Sequence, residues 1–130
     1  MLKNEKGQAV APKTVTMTKK DFEDQGNTRV YWLGGGGAMI NDHGTVIMID
    51  PLLEGFDMPL LIDMPIDVKD VPHVDAILVS HVDNDHYSRP TCRDLKAVCK
   101  EYHASYYVTF LMKEECGIEA VSYTHLRAHE

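Results

Sequence analysis

Ala76-Ile77-Leu78-Val79-Ser80-His81-Val82-Asp83-Asn84-Asp85-His86 is the stretch on which the reading of this chain turns. Ile77, Leu78 and Val79 are apolar and branched, and polar residues flank them; this is the composition of a short buried strand over Ala76–Val79. After Ser80 the chemistry changes. His81, Asp83, Asp85 and His86 offer two imidazoles and two carboxylates in close succession. Neutral imidazole and carboxylate are ligands of Zn²⁺, Mn²⁺ or iron near neutral pH. A strand would send alternate side chains to opposite faces. The four donors can meet only if His81–His86 leaves the strand as a loop, at the C-terminal end where open α/β sheets bind ligands. Asp83-Asn84-Asp85 alone is also an ordinary polar turn. The two histidines bracketing it, directly after a hydrophobic strand, favour the metal reading.

The stretch resembles the metallo-β-lactamase superfamily, which carries His-x-His-x-Asp-His after such a strand. His81, Asp85, His86 and the strand match; the second family histidine is Asp83 here. Asp83 still ligates through oxygen, and its added charge favours Mn²⁺ or iron over Zn²⁺. Val30-Tyr31-Trp32-Leu33-Gly34 and Ile47-Met48-Ile49-Asp50-Pro51 resemble the opening strands of the branch that includes ascorbate-6-phosphate lactonase-like hydrolases. The resemblance covers about Arg29 to Val121. It implies a partial metallo-β-lactamase αβ/βα fold, a mixed sheet flanked by helices and incomplete at the C-terminus. It also implies a metal-dependent hydrolase of a lactone, ester or phosphoester, with one or two divalent ions, Zn²⁺ or Mn²⁺. His81 and Asp83 would hold one ion, Asp85 and His86 the second. Asp85 would also orient the attacking water, and Asp50 would support the site from outside the ligand set. Relatives often have a histidine where Gly35 stands. Their second half adds two histidines and a bridging aspartate. A chain without these is expected to bind metal weakly and to hydrolyse little. The rival expectation is a non-catalytic metal-binding or partner-binding fragment.

Upstream, Thr28–Leu33 reads as a strand. Gly34–Gly37 lacks the Gly-Lys-Ser/Thr of a phosphate loop. It reads instead as backbone needing a positive φ or close approach to a neighbour. Asn41-Asp42-His43-Gly44 is a turn joining Ala38–Ile40 to Thr45–Ile49, with His43 facing solvent. The proline-punctuated run Leu52–Asp75 rules out a long helix. Its Leu, Ile and Met residues either cap the sheet edge or wall a pocket over the metal site, and His73 is expected at the surface.

Downstream, Ser88 caps a helix with Pro90 in its first turn. Cys92, Leu95, Val98, Cys99 and Tyr102 follow a helical spacing that predicts a helix to about His103. Its N-terminus would face the metal loop and favour an anionic ligand. Tyr87 is expected either to reach the same pocket or to pack. Ser105–Thr109 reads as the next parallel strand, Phe110–Cys116 as a short helix ended by Gly117, and Ile118–Val121 as the start of another strand.

The 130 residues suffice for one modest core, with 44% hydrophobic and 25% charged residues. The net charge of −7 argues against nucleic-acid binding, and no apolar run is long enough to span a membrane. Without the apolar core of a signal peptide, and with three cysteines in no zinc-knuckle spacing, a cytoplasmic location is expected. Residues 1–27 read as a polar extension, mobile or laid over the surface, with a helical turn near Lys19–Asp24. Residues 28–121 form the partial domain. Residues 122–130 read as a non-native tail, although His125 and His129 stand at a metal-holding spacing. Partners expected are a small, anionic substrate and, because half a sandwich leaves an apolar sheet face bare, a second copy of the chain.

Overall fold

Six strands form one mixed sheet in the computed structural model, which describes residues 2–122. They are β1 (Thr28–Gly34), β2 (Gly37–Asp42), β3 (Thr45–Ile49), β4 (Val74–Val79), β5 (Cys99–Ala104) and β6 (Val121–Ser122), and they lie side by side in chain order. β1, β2 and β3 are antiparallel, and β3 to β6 are parallel. Two helices, α1 (Arg89–Asp94) and α2 (Tyr106–Cys116), make the crossovers between the last three strands. The expected architecture, a mixed sheet with flanking helices, is the one observed.

Register explains where the core lies. Tyr31, Met39, Met48, Ile77 and Tyr102 form one cross-strand row. Met39, Met48, Ile77 and Tyr102 are buried, together with Cys92 and Leu95 near α1 and Val108 and Met112 of α2. Side chains alternate across a strand, so the next row, Trp32, Ala38, Ile49, Leu78, His103 and Val121, lies on the other face. None of its members is fully buried.

Three expectations are corrected. The helix predicted to run to His103 stops at Asp94, and β5 begins at Cys99. The helical spacing of Val98, Cys99 and Tyr102 is overridden by parallel pairing of β5 with β4, from Val74↔Cys99 to Val79↔Ala104. The strand predicted over Ser105–Thr109 is instead the start of α2, with Ser105 at the N-cap position. Val108 and Met112, four residues apart, bury its inner face, and Gly117 closes it in the left-handed conformation. Finally, residues 1–27 are not all peripheral: Met17 and Phe22 belong to the core. A 3-10 turn at Lys19–Phe22 delivers Phe22, and the Asn41 amide ties it down by donating to the carbonyls of Asp21 and Glu23. The expectations for His125 and His129 lie outside the described residues.

Ser88 caps α1 as expected, accepting from the Thr91 amide, with Pro90 in the first turn. A helix this short brings little aligned backbone dipole to the loop before it.

Candidate metal centre

The register puts three segments at one end of the sheet. Ala38, Ile49 and Leu78 are neighbours across β2, β3 and β4. One step further lie the Gly34–Gly37 turn, Asp50, and the exit of β4 into Ser80–His86.

Asp50 is the anchor. It is buried, and its φ of 45° lies in the left-handed region, which short polar side chains tolerate best. Its amide donates to Leu78 O at 2.9 Å. Its carboxylate accepts from the Ser80 amide at 2.7 Å and from the Ser80 hydroxyl. The same carboxylate lies 2.9 Å from His86 Nδ1. His81 Nδ1 lies 2.8 Å from Ser80 Oγ.

These bonds assign both tautomers. An ionised carboxylate only accepts, so His86 Nδ1 donates to Asp50. Ser80 spends its proton on Asp50, so its oxygen accepts from His81 Nδ1. A neutral imidazole that donates through Nδ1 carries its lone pair on Nε2. Both Nε2 atoms then face carboxylates: His81 Nε2 is 3.3 Å from Asp83 Oδ2, and His86 Nε2 is 3.6 Å from Asp85 Oδ2. Acceptor opposes acceptor at both places. A proton on each Nε2 relieves this, and so does a cation lying between nitrogen and oxygen.

The loop turns back on itself through the His86 and Tyr87 amides, which both donate to Asp83 O. The two imidazoles lie with centroids 4.0 Å apart, their planes tilted by 41°. One donor atom each from Asp50, His81 and His86 lies within 4.8 Å of the others. Asp83 and Asp85 are exposed, outside that trio, and each approaches a different imidazole. Two nitrogens and nearby carboxylate oxygens suit Zn²⁺, Mn²⁺ or iron, so the donor chemistry fits a divalent ion.

Two supports of the centre were not singled out in the sequence. Ser80 links His81 to Asp50. Gly36 packs on His86: a β-carbon there would lie 2.7 Å from His86 Cε1. The glycine run does combine positive φ, at Gly34 and Gly35, with close approach, at Gly36.

Other candidates are placed elsewhere. Tyr87 does not reach the pocket. Its ring is fully buried beneath the Arg89 guanidinium, and its hydroxyl contacts Cys116 Sγ at 3.6 Å. Burial, then the Cys116 contact, pushes that hydroxyl well above the usual tyrosine range. His43 is exposed in its turn, beside Asp42. His73 is half-buried, 3.2 Å from Gly44 O. Burial pushes the Cys92 thiol up to about 12, so it is no thiolate donor. The ends of the Leu52–Asp75 run join the core through Leu53, Ile66 and Val71. Its middle lies against Gly34 through Ile62 and Met64.

No family model matches the chain, and no curated protein does. Solved structures of related shape include CmlA, a diiron beta-hydroxylase from Streptomyces venezuelae. It is 18% identical, with a TM-score of 0.47 over 59% of this chain and 15% of that one. Another is titled "Putative metal-dependent hydrolase from Parabacteroides distasonis", 21% identical, with a TM-score of 0.49 over 77% of this chain and 40% of that one. The chain therefore spans less than half the length of either protein.

Proposed function

We propose that this chain carries part of the active site of a metal-dependent hydrolase with the metallo-β-lactamase fold, of the ascorbate-6-phosphate lactonase-like branch. The observation that supports this best is the pair of Nε2 atoms, each beside a carboxylate, with both imidazoles held through Asp50 and Ser80. Metal-binding histidines are typically oriented this way by an outer carboxylate. In this reading His81 and Asp83 hold one Zn²⁺ or Mn²⁺ ion, and Asp85 and His86 hold a second. A bound divalent ion supplies water acidified to near neutrality and polarises a carbonyl or phosphoryl oxygen. Asp85, which is exposed, also orients the attacking water in this reading. Asp50 and Ser80 hold the rings, and Gly36 leaves room for one of them. The substrate is a lactone, ester or phosphoester.

The test is to load the purified chain with Mn²⁺ or Zn²⁺ and measure metal content by elemental analysis. Lactone and phosphodiester turnover is then assayed beside a His81→Ala, His86→Ala double variant. The native chain should retain metal that the double variant loses, with little turnover from these residues alone. Equal metal content in both would remove the motif from the argument.

A second reading, a non-catalytic partner-binding domain, is supported by the bare sheet row. Trp32 is 62% and Val30 72% exposed, with half-buried Ile40, Ile47, Ile49 and Leu78 between the edges. Five strands about 4.8 Å apart and about 20 Å long, with the two-residue β6 beside them, present roughly 500 Å². Two such faces bury about 1,000 Å² in total, the size of a weak or transient interface. A second copy of the chain is the occupant in this reading. A monomer in analytical ultracentrifugation at high micromolar concentration would count against it.

A further inference from the structure

Beside the glycine turn lies a cavity of about 290 Å³ that holds none of the metal donors. Its floor is β1, the sheet's edge strand. Its walls are residues 12–17 and the loop at 62–65, which clasp each other. Thr14 Oγ1 donates to Asp63 O at 2.7 Å, and the Met17 amide donates to Pro65 O at 2.8 Å. The lining is mainly apolar: Val15, Met17, Trp32, Leu33, Ile62 and Pro65. Resting on the hydrolase reading above, we infer that this cavity binds an aliphatic group of medium length, carried by the molecule on which the metal centre acts.

The cavity and the centre share one turn. Gly34 lines the cavity and Gly36 touches His86. Their α-carbons can be no more than about 7 Å apart. Trp32 Nε1 donates to Gly35 O at 2.9 Å, so the cavity's aromatic wall is braced on the residue between them. On the opposite wall, a β-carbon at Gly34 would lie 2.9 Å from Ile62 Cδ1. An apolar group seated here therefore lies within a small molecule's length of the imidazoles.

Size and charge select the ligand class. The volume is at the lower end of small-molecule pockets, about 300 Å³, and is roughly ten water volumes. That is too small for the side of a folded partner. Lys13 is the one cation of the lining, set against Asp21 and Asp63. An anion has no net attraction to it, whereas an alkyl chain gains from every methylene buried.

Trp32 is the chain's single tryptophan, so its fluorescence reports the cavity directly. The full chain is titrated with octan-1-ol and butan-1-ol. A saturable blue shift is expected with octan-1-ol, and about 10²-fold weaker binding of butan-1-ol, since four methylenes are lost. Ile62→Glu should weaken octan-1-ol tenfold or more. Val15→Glu, at a site 82% exposed, tolerates the change without unfolding and should weaken it by a smaller factor. EDTA should leave the titration unchanged. A shift that does not saturate, that ignores chain length, or that survives both substitutions overturns the inference. The metal reading fails separately, through equal metal content in native and double-variant chains, which leaves the alcohol titration as it was.

Discussion

Replacing Gly36 with alanine is the most incisive perturbation of the centre. The new methyl would stand 2.7 Å from His86 Cε1 and 3.1 Å from Nδ1. Carbon atoms pack at about 3.5–4.0 Å, so something must retreat by roughly 1 Å. The imidazole yields, because it is the end of a half-buried side chain and not backbone. Its retreat breaks the 2.9 Å contact of Nδ1 with Asp50 and swings Nε2 from its place beside His81. Loss of such an outer support costs about 10–100-fold in metal affinity. Stability should move far less. Gly36 is not among the positive-φ residues, so alanine fits the backbone and gains about 0.4–1 kcal/mol through the unfolded state. That gain partly offsets the lost hydrogen bond. Gly35→Ala supplies the contrast. Nothing lies within 4 Å of a β-carbon there, but its φ of 54° is left-handed. Alanine at 35 should cost about 1–2 kcal/mol of stability and leave Mn²⁺ affinity nearly unchanged. Isothermal titration with Mn²⁺ and urea unfolding measure the two effects independently. The reasoning is refuted if Gly36→Ala binds Mn²⁺ like the native chain, or if Gly35→Ala loses as much affinity.

Three further outcomes are expected. Asp50→Asn keeps a side chain that tolerates φ 45° but removes the charged acceptor of Ser80 and His86; a loss of about 1.5–3 kcal/mol should appear in the urea midpoint, with weaker Mn²⁺ binding. Asp75 accepts from Lys100 Nζ and the Val46 amide, both at 2.7–2.8 Å, and these hold its carboxyl below the ordinary value of about 3.9. Its stabilisation is therefore complete above that value and drains as pH falls through the lower folded one; Asp75→Asn should lower Tm at pH 6–7, and thermal melts should show the gap closing in acid. Ser88→Ala removes the cap on the Thr91 amide and should cost about 1 kcal/mol by the same unfolding assay.

The strands were legible where one physical signal acted alone. Val46–Ile49 is nearly continuous in apolarity and became β3, with Asn41–Gly44 as its hairpin turn. The reading failed between Leu95 and Thr109, where two periods compete. Cys92 and Leu95 are buried near the end of α1, and three residues on, Val98 still fits a helix. Tyr102 and Ala104 obey a period of two, because β5 lies between β4 and β6 and buries alternate residues. Tyr106-Tyr107-Val108 carries strand propensity, yet Ser105 opens a helix there and leaves both tyrosines exposed. A serine three residues before Val108, with Met112 four residues further on, was the available sign, and aromatic β-propensity outweighed it. Phe22 escapes notice for another reason: a lone apolar residue in a polar segment has no period, and it is fixed by the 3-10 turn and by the hold of Asn41 on its neighbours.

The centre divides along the same line between local and distant information. His81, Asp83, Asp85 and His86 lie within one loop, so chain connectivity alone keeps them close. The groups that aim them come from further away. Asp50 is 36 residues from His86 in the chain, and it arrives because β3 and β4 pair in the parallel register Ile49↔Leu78. Gly36 is more distant still, and it arrives because Ala38 pairs with Ile49. Shifting the β3–β4 register by one residue would turn Asp50 to the other face and leave His86 Nδ1 without its acceptor, and shifting β2 against β3 would carry Gly36 away from His86. The register is itself held by Met39, Met48 and Ile77 on the buried face. The apolar row of the sheet thus determines which nitrogen of His86 carries the proton, and thereby which one is left to bind a metal.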